Sequence, residues 1–212
     1  VSLVADEIFG RDNFVEEIIW AYGSPSGGRA AGAKPVNIHD YILHYSKNYA
    51  VRKQNKIYTP YPERYIKDWF KYSDDDGRVY RRRMRDKDKQ VDSVWEKQYL
   101  DESKGMPLTT VWTDIKQVYA DPRAYKENQA NRVELIRDFP TQKPEQLIKR
   151  IIEMASDSGD LVLDFQLGSG TTAAVSHKLG RQYICIEQLD GAKDIILKRL
   201  VKVISGDATG IS

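Results

Sequence analysis

The sequence predicts an α/β protein with at least one parallel βαβ unit, and three features near its C-terminus carry that prediction. LVLDF (161–165) and YICIE (183–187) are short apolar runs, typical of buried strands. Between them, GSGTT opens a helix predicted over 171–179, which Gly180 ends. A strand, a glycine turn, a helix and a second strand follow one another within about 27 residues, so the two strands should lie side by side and parallel.

The N-terminal part predicts one short helix and two strands. Residues 2–9 can form a helix that Gly10 stops. Residues 14–20 and 41–46 are rich in β-branched and aromatic side chains, which favour strands. The segment between these strands, residues 23–35, is dominated by Gly, Ala, Ser and Pro and predicts a long mobile loop.

Two further helices are predicted beside the βαβ unit. Pro144 can occupy the first position of a helix, because its missing N–H costs nothing there, and apolar residues then recur at helical spacing up to Ala155. A last amphipathic helix is predicted over 192–204. Its apolar stripe would consist of Ile195, Ile196, Leu200, Val201 and Ile204.

Length and composition exclude several classes of protein. The 212 residues suit one domain, or one domain with an insert, and 41% hydrophobic residues suit a globular chain. No window reaches the ~18 apolar residues that a membrane-spanning helix needs. The single cysteine, Cys185, excludes an internal disulfide framework, and no metal site is predicted. The chain is therefore expected to be cytoplasmic.

The net charge of +2 conceals a basic segment. Residues 52–90 hold 13 Lys/Arg and 7 Asp/Glu, interleaved with seven aromatic residues. Such a mixture suits a nucleic-acid surface, where cations meet phosphates and rings pack on sugars or bases. The alternative is an ordinary solvated face over a local aromatic core. The predicted nucleic-acid-binding residues are Arg78, Arg81, Arg82, Arg83 and Arg85.

The glycine turn predicts a nucleoside-containing ligand. Gly168 and Gly170 remove side chains where a strand turns into a helix, and Glu187 lies 17 residues after Gly170, where it can accept hydrogen bonds from a ribose. The loose dinucleotide pattern is also satisfied, so NAD is an alternative, as is a turn without a ligand. Asp164 favours S-adenosylmethionine, because a carboxylate would repel a pyrophosphate but would attract the ammonium of the methionine end.

The motifs together resemble a known family. PTQKP (140–144) followed by DFQLGSGTT (164–172) is similar to the β class of amino-methylating DNA methyltransferases, and most similar to the modification subunits of type III restriction systems. The resemblance implies a Rossmann-like S-adenosylmethionine-dependent methyltransferase fold with a mixed, mostly parallel sheet. Residues 1–47 and 136–212 would form the methyltransferase core, and residues 48–135 an inserted target-recognition region.

The resemblance also implies the residues of the cofactor site. The residues around the methionine part would be Asp164, Phe165, Gly168, Gly170, Thr171 and Thr172. Glu187 would bind the ribose. The other side of the pocket would be lined by Thr141, Gln142, Lys143 and Pro144, although Lys143 could instead be a solvated residue at a helix start.

Two departures from the family pattern bear on activity. Gln166 and Leu167 stand where small or aromatic residues are commonest. The family's catalytic tetrapeptide, which ends in Pro-Pro-Tyr, does not occur in these 212 residues, so no catalytic residue is assigned. We expect that motif upstream of Val1 and a further strand beyond Ser212, which would make the chain a fragment that is inactive alone.

The function implied by the resemblance is methyl transfer from S-adenosylmethionine to an exocyclic amino group in double-stranded DNA, with the target base flipped out. Adenine N6 is the predicted target and cytosine N4 the alternative. A non-catalytic remnant that binds DNA or cofactor, and a dinucleotide-dependent oxidoreductase, are competing hypotheses. A homodimer and a restriction subunit are the protein partners that the resemblance leaves open.

Overall fold

A computed structural model describes residues 2–23, 34–84, 95–118, 139, 141–206 and 209–211. The chain forms two compact units. Unit 1 consists of residues 1–55 together with 109–212, and unit 2 consists of residues 56–108. Within the described ranges, no helix is long and apolar enough to cross a membrane.

Fifteen helices and strands are described, besides two short 3-10 turns. In chain order they are α1 (Ser2–Phe9), β1 (Phe14–Ala21), β2 (His39–Tyr45), β3 (Tyr58–Thr59), α2 (Glu63–Trp69), β4 (Tyr72–Ser73), β5 (Val79–Met84), β6 (Trp95–Tyr99), β7 (Met106–Pro107), β8 (Val111–Trp112), α3 (Glu145–Ala155), β9 (Leu161–Asp164), α4 (Thr171–Lys178), β10 (Gln182–Cys185) and α5 (Asp190–Ile204).

Unit 1 contains a mixed sheet in the order β2-β1-β8. β1 and β2 pair antiparallel, whereas β1 and β8 pair parallel. Ile18 and Trp20 point to the buried side of β1, and the Trp20 indole donates a hydrogen bond of 2.8 Å to the carbonyl of Ile115. A buried indole N–H needs such a partner, so this bond fixes the segment after β8 against the sheet.

The predicted βαβ unit is confirmed. β9 and β10 pair parallel, with Leu161 opposite Gln182 and Asp164 opposite Cys185. The small side chains of α4 are fully buried and let the helix pack closely against neighbouring elements. The α/β class predicted from the sequence is therefore confirmed.

The burial of these two strands differs from the prediction. Both were expected to be buried strands, yet Leu163 is 60% exposed and Ile184 is 52% exposed. Val162 packs on the opposite face, in a cluster with Ile152 and Val175. Side chains alternate between the two faces of a strand. Within the described residues, α3 and α4 cover the face that carries Val162 and leave the face that carries Leu163 and Ile184 exposed.

Two helix predictions need correction. Pro144 lies at the N-cap of α3 with extended backbone (ψ 143°), so Glu145 is the first helical residue. On α5 the predicted stripe is only partly buried: Ile196 is buried and Leu200 packs beside it, whereas Val201 and Ile204 are exposed. The residues buried on α5 are Ala192, Ile196, Arg199 and Val203.

Unit 2 is built from short antiparallel strands. β5 pairs with β4 on one side and β6 on the other, and β3 pairs with β7. Phe70, after α2, and Tyr80 of β5 are its buried aromatic residues. The unit is shorter than the predicted insert of 48–135, because residues 109–118 belong to unit 1, where β8 pairs with β1.

Some predictions lie outside the described residues. They concern most of the predicted loop of 23–35, the end of the predicted insert from residue 119 onward, and Arg85.

Candidate functional site

The glycine turn connects β9 to α4 and has the left-handed backbone that its two glycines allow. Gly168 has φ +60° and Gly170, the N-cap of α4, has φ +81°. Both values are costly for residues with a Cβ atom. At Gly168 a side chain would also press on the Phe139 ring, 3.3 Å from the position of its Cβ. The turn therefore presents backbone, rather than side chains, at the end of β9.

Asp164 and Glu187 both lie at the carboxyl ends of the parallel strands. Asp164 ends β9, where its Oδ1 accepts a hydrogen bond of 2.9 Å from the Gln166 amide. Glu187 lies two residues beyond β10, not on the strand as predicted. Its Oε2 accepts 2.6 Å from the Gly168 amide and its Oε1 accepts 2.9 Å from the Leu189 amide.

The backbone amides around Glu187 stabilise its charged form. Hydrogen bonds from Leu189 and then Gly168 hold the pKa of this carboxyl below its ordinary value. A carboxylate has about four lone-pair sites, so these bonds leave part of its accepting capacity for a ligand. The predicted meeting of the glycine turn and the acid after the second strand is thus present in the structure.

The PTQKP segment packs directly on the start of α4. The Thr171 hydroxyl donates 3.2 Å to the Lys143 carbonyl, and Pro144 and Gln142 are buried beside it. Thr141 is exposed. The Lys143 ammonium donates 2.9 Å to Asp40. Its side chain is therefore ion-paired, which neither of its predicted roles included.

The predicted cofactor residues on the turn differ in accessibility. Phe165 is 69% exposed, and Thr172 is half-buried. Thr171 is buried, and its hydroxyl accepts 3.0 Å from the Arg199 guanidinium as well as donating to Lys143. The hydroxyl of Thr171 is accordingly turned into the protein.

A buried ionic cluster below the turn was missed in the sequence. Glu145, 2% exposed, accepts 2.7 Å from Arg199 and 2.9 Å from Lys178. It also accepts 3.2 Å from the Ile211 amide. The only sequence signal is Arg199 itself, since it occupies the buried side of an otherwise apolar stripe.

The predicted DNA-binding arginines divide into paired and exposed residues. Arg78 binds Asp101 through two bonds of 2.8 Å and Glu102 through one of 2.6 Å, and these carboxylates raise the pKa of its guanidinium. Arg81 donates 2.8 Å to Gln98 and also bonds the Tyr65 hydroxyl.

Arg82 and Arg83 are exposed on β5. The Arg82 guanidinium lies 4.4 Å from the centre of the Tyr72 ring, which suits a cation–π contact. Tyr72 is in turn stacked on Tyr80 at 5.5 Å. The sequence predicts cations mixed with aromatic rings in this segment. Arg82 and the exposed Tyr72 ring of unit 2 form such a combination.

Comparison with known proteins identifies the family. The N6/N4 methyltransferase family model, described as DNA methylase, matches residues 1–198. The chain belongs to this DNA methylase family. The resemblance predicted from PTQKP and the glycine turn is thereby confirmed.

Two curated relatives illustrate the similarity. The chain is 46% identical over 106 residues to the Haemophilus influenzae protein named "Probable type III restriction-modification enzyme HindVI Mod subunit", a match covering 50% of this chain and 13% of that protein. It is 48% identical over 61 residues to the type II methyltransferase M2.DpnII of Streptococcus pneumoniae, covering 29% of this chain and 23% of that protein. The matched segments thus span less than a quarter of either relative's length.

A solved structure of an M1.HpyAVI–SAM complex aligns with 93% of this chain and 68% of its own, with 22% identity and a TM-score of 0.49.

Proposed function

We propose that this chain binds S-adenosylmethionine at the glycine turn and forms part of an enzyme that methylates an exocyclic amino group in DNA. The observation that carries the proposal is the hydrogen bond of 2.6 Å between Glu187 and the Gly168 amide. It joins the two features that a nucleoside ligand requires, an acid for the ribose and a turn without side chains. Membership of the DNA methylase family supports the choice of reaction.

Charge distinguishes S-adenosylmethionine from a dinucleotide at this site. The carboxylate of Asp164, at the end of β9, favours the ammonium of the methionine end and would repel a pyrophosphate. Glu187 keeps its charge, because two backbone amides lower its pKa, so it can accept hydrogen bonds from ribose hydroxyls. S-adenosylmethionine supplies the methyl group, and the residues of this chain bind and orient it.

The methyl transfer itself is an in-line displacement. The bond between the methyl carbon and the sulfonium sulfur breaks while a bond to the amino nitrogen forms, S-adenosylhomocysteine leaves, and the nitrogen loses a proton to solvent or a base. Positioning contributes most of what a protein must supply to such a step. The Pro-Pro-Tyr motif that would hold the base does not occur in these 212 residues, so we propose that the 212-residue chain binds cofactor without transferring the methyl group.

The target and the DNA contacts are further parts of the proposal. Adenine N6 is the proposed target and cytosine N4 the alternative. Unit 2 would contact DNA chiefly through Arg82 and Arg83, because Arg78 and Arg81 are engaged with carboxylate, amide and phenol oxygens. The similarity to a Mod subunit supports a double-stranded DNA substrate and a restriction subunit as partner.

Calorimetric titration of the 212-residue chain tests the cofactor assignment, with S-adenosylmethionine and NAD as the two ligands. We expect heat and saturation with S-adenosylmethionine only. Saturable binding of NAD alone would overturn the assignment.

Methylation assays on a longer parent chain test the reaction. Incubation with double-stranded DNA followed by nucleoside mass spectrometry should yield N6-methyladenine. N4-methylcytosine would change the target. A parent chain that contains Pro-Pro-Tyr, binds cofactor and modifies no base would favour the non-catalytic remnant.

A further inference from the structure

The guanidinium of Arg199 connects the start of α3 to the glycine turn. One of its terminal nitrogens donates 2.7 Å to Glu145. The other donates 3.0 Å to the Thr171 hydroxyl and 3.3 Å to the Ser169 carbonyl. A single planar group therefore holds two positions of the turn relative to one buried carboxylate, and the rigid fork of an arginine suits this arrangement.

The cluster is deeply buried. Arg199 is 9% exposed and Glu145 is 2% exposed, while Ser169 and Thr171 are also buried. Charge-assisted hydrogen bonds away from water are stronger than those at the surface. The bonds from Arg199 to the turn should thus restrict its backbone more than any contact from solvent could.

Glu145, the carboxylate that Arg199 joins to the turn, is itself bound by two further donors. Lys178 of α4 donates 2.9 Å to the second oxygen of Glu145, and the Ile211 amide donates 3.2 Å to the same oxygen. Glu145 follows Pro144, and the carbonyl of the preceding residue, Lys143, accepts a hydrogen bond from the Thr171 hydroxyl. The PTQKP segment, the turn and α5 consequently share one hydrogen-bond network.

We propose that Glu145 and Arg199 are positioning residues for the cofactor site. They do not touch the ligand in this assignment, but hold Ser169 and Thr171 so that the Gly168–Gly170 backbone keeps its left-handed shape. The inference rests on the proposed function, because the turn is taken to be the place where S-adenosylmethionine binds.

Conservative replacement of Arg199 separates positioning from folding. Arg199→Lys keeps a cation for Glu145. It lacks the second terminal nitrogen, which in arginine donates to Thr171 and Ser169 of the turn. Arg150→Lys is the matched control, since Arg150 binds Asp114 through two bonds of 2.9 and 2.5 Å and is also largely buried, yet within the described residues makes no hydrogen bond to the turn. Thermal unfolding should show the larger loss of stability for Arg199→Lys, because its partner Glu145 is 2% exposed whereas Asp114, the partner of Arg150, is 54% exposed.

Cofactor affinity should distinguish the two variants. We expect Arg199→Lys to weaken S-adenosylmethionine binding about tenfold, the loss of one charge-assisted hydrogen bond, and Arg150→Lys to leave it unchanged. Equal affinities for the two variants, each measured at a temperature where it is fully folded, would overturn the inference.

Nuclear magnetic resonance of the ligand-free chain supplies a second readout that does not depend on the cofactor. The amide signals of Gly168 and Gly170 should move in Arg199→Lys and stay in place in Arg150→Lys. Unmoved glycine signals would overturn the positioning role even if the cofactor binds. Moved signals in a chain that binds no S-adenosylmethionine would refute the proposed function while supporting the link from Arg199 to the turn.

If Arg199→Lys does not fold, Thr171→Val provides the alternative test. It removes the shorter of the two bonds from Arg199 to the turn, and leaves the bond to the Ser169 carbonyl and the pair between Arg199 and Glu145 intact. The same shift of the glycine signals is expected, and unchanged signals would contradict the inference.

Discussion

The glycine turn of unit 1 and the β4–β5–β6 sheet of unit 2 use their charged residues differently. At the turn, Glu187 is held by backbone amides, and Arg199 is buried against Glu145. On the sheet, Arg78 is bound by Asp101 and Glu102 on an exposed surface. Charges at the turn therefore shape the backbone, whereas in the described part of the sheet Arg78 and Lys97 are neutralised by carboxylates.

The two regions should therefore differ in their sensitivity to mutation. A network that is buried and shared with the backbone should be sensitive to single replacements. An exposed network of side chains in water should be tolerant, because solvent replaces each lost contact.

The largest effect is expected for Glu145→Ala. The variant removes the carboxylate from two buried cations, Lys178 and Arg199, and breaking a buried pair costs about 3–5 kcal/mol. Chemical denaturation measures this loss. Asp101→Ala is the matched variant on the sheet and should change stability little. Similar losses for the two variants would show that burial does not make the network at the turn more sensitive.

Asp164→Ala tests the electrostatic basis of cofactor choice. If the carboxylate helps to hold an ammonium, its removal should weaken S-adenosylmethionine binding by ~1.5–3 kcal/mol, or ~10–100-fold. NAD binding should stay the same or improve, because the repelling charge beside the pyrophosphate is gone. Titration calorimetry measures the change in affinity for each ligand. An unchanged S-adenosylmethionine affinity would mean that the Asp164 carboxylate does not hold the ammonium.

On the sheet, Arg82→Ala should affect DNA binding more than Arg78→Ala. Arg82 is exposed, whereas Arg78 is paired with two carboxylates. Each phosphate contact that is lost reduces the slope of log K against log salt by about 0.9, so Arg82→Ala should flatten the slope by about one. Fluorescence anisotropy at several salt concentrations, on sequences of different composition, measures it. An equal or larger change in Arg78→Ala would show that its ion pairs open on binding.

The smallest effect concerns the pH dependence of Glu187. Its pKa is lowered in the folded chain, so the stabilisation from its charge is complete above the ordinary value of 4.5 and is lost as the pH falls through the lowered pKa. The difference in unfolding free energy between the wild-type chain and Glu187→Gln should hence shrink as the pH falls below 4.5. A difference that is constant with pH would mean that the amides do not favour the charged form.

The two regions also differ in what their sequences could predict. Residues 161–187 form a contiguous unit whose geometry depends on backbone conformation, so glycines and apolar runs predict its strands, turn and helix within a few residues. The position of Glu187 near Gly168 follows from parallel pairing alone. The PTQKP segment could be placed there only through the family resemblance.

Side-chain partners far apart in sequence could not be predicted. Arg78 meets Asp101 and Glu102 across 23 and 24 positions, so counting cations overstated the free positive charge of unit 2. Arg199 lies 54 positions from Glu145 on a helix side expected to be apolar. An apolar pattern contains no information on a buried ion pair, so the predicted stripe of α5 included the buried Ile196 but left out the buried Arg199.

The buried ionic cluster is held by backbone groups of residues 209–211 as well as by side chains. The Lys178 ammonium bonds the Thr209 carbonyl, and Gly210 passes so close to Glu145 that a side chain there would collide with the carboxylate. A protease that cut after Gly206 would remove these backbone groups and leave buried charge on three helices short of partners. Resistance of the chain to cleavage beyond α5 should then report on the packing of the ionic cluster, and through Arg199 on the glycine turn.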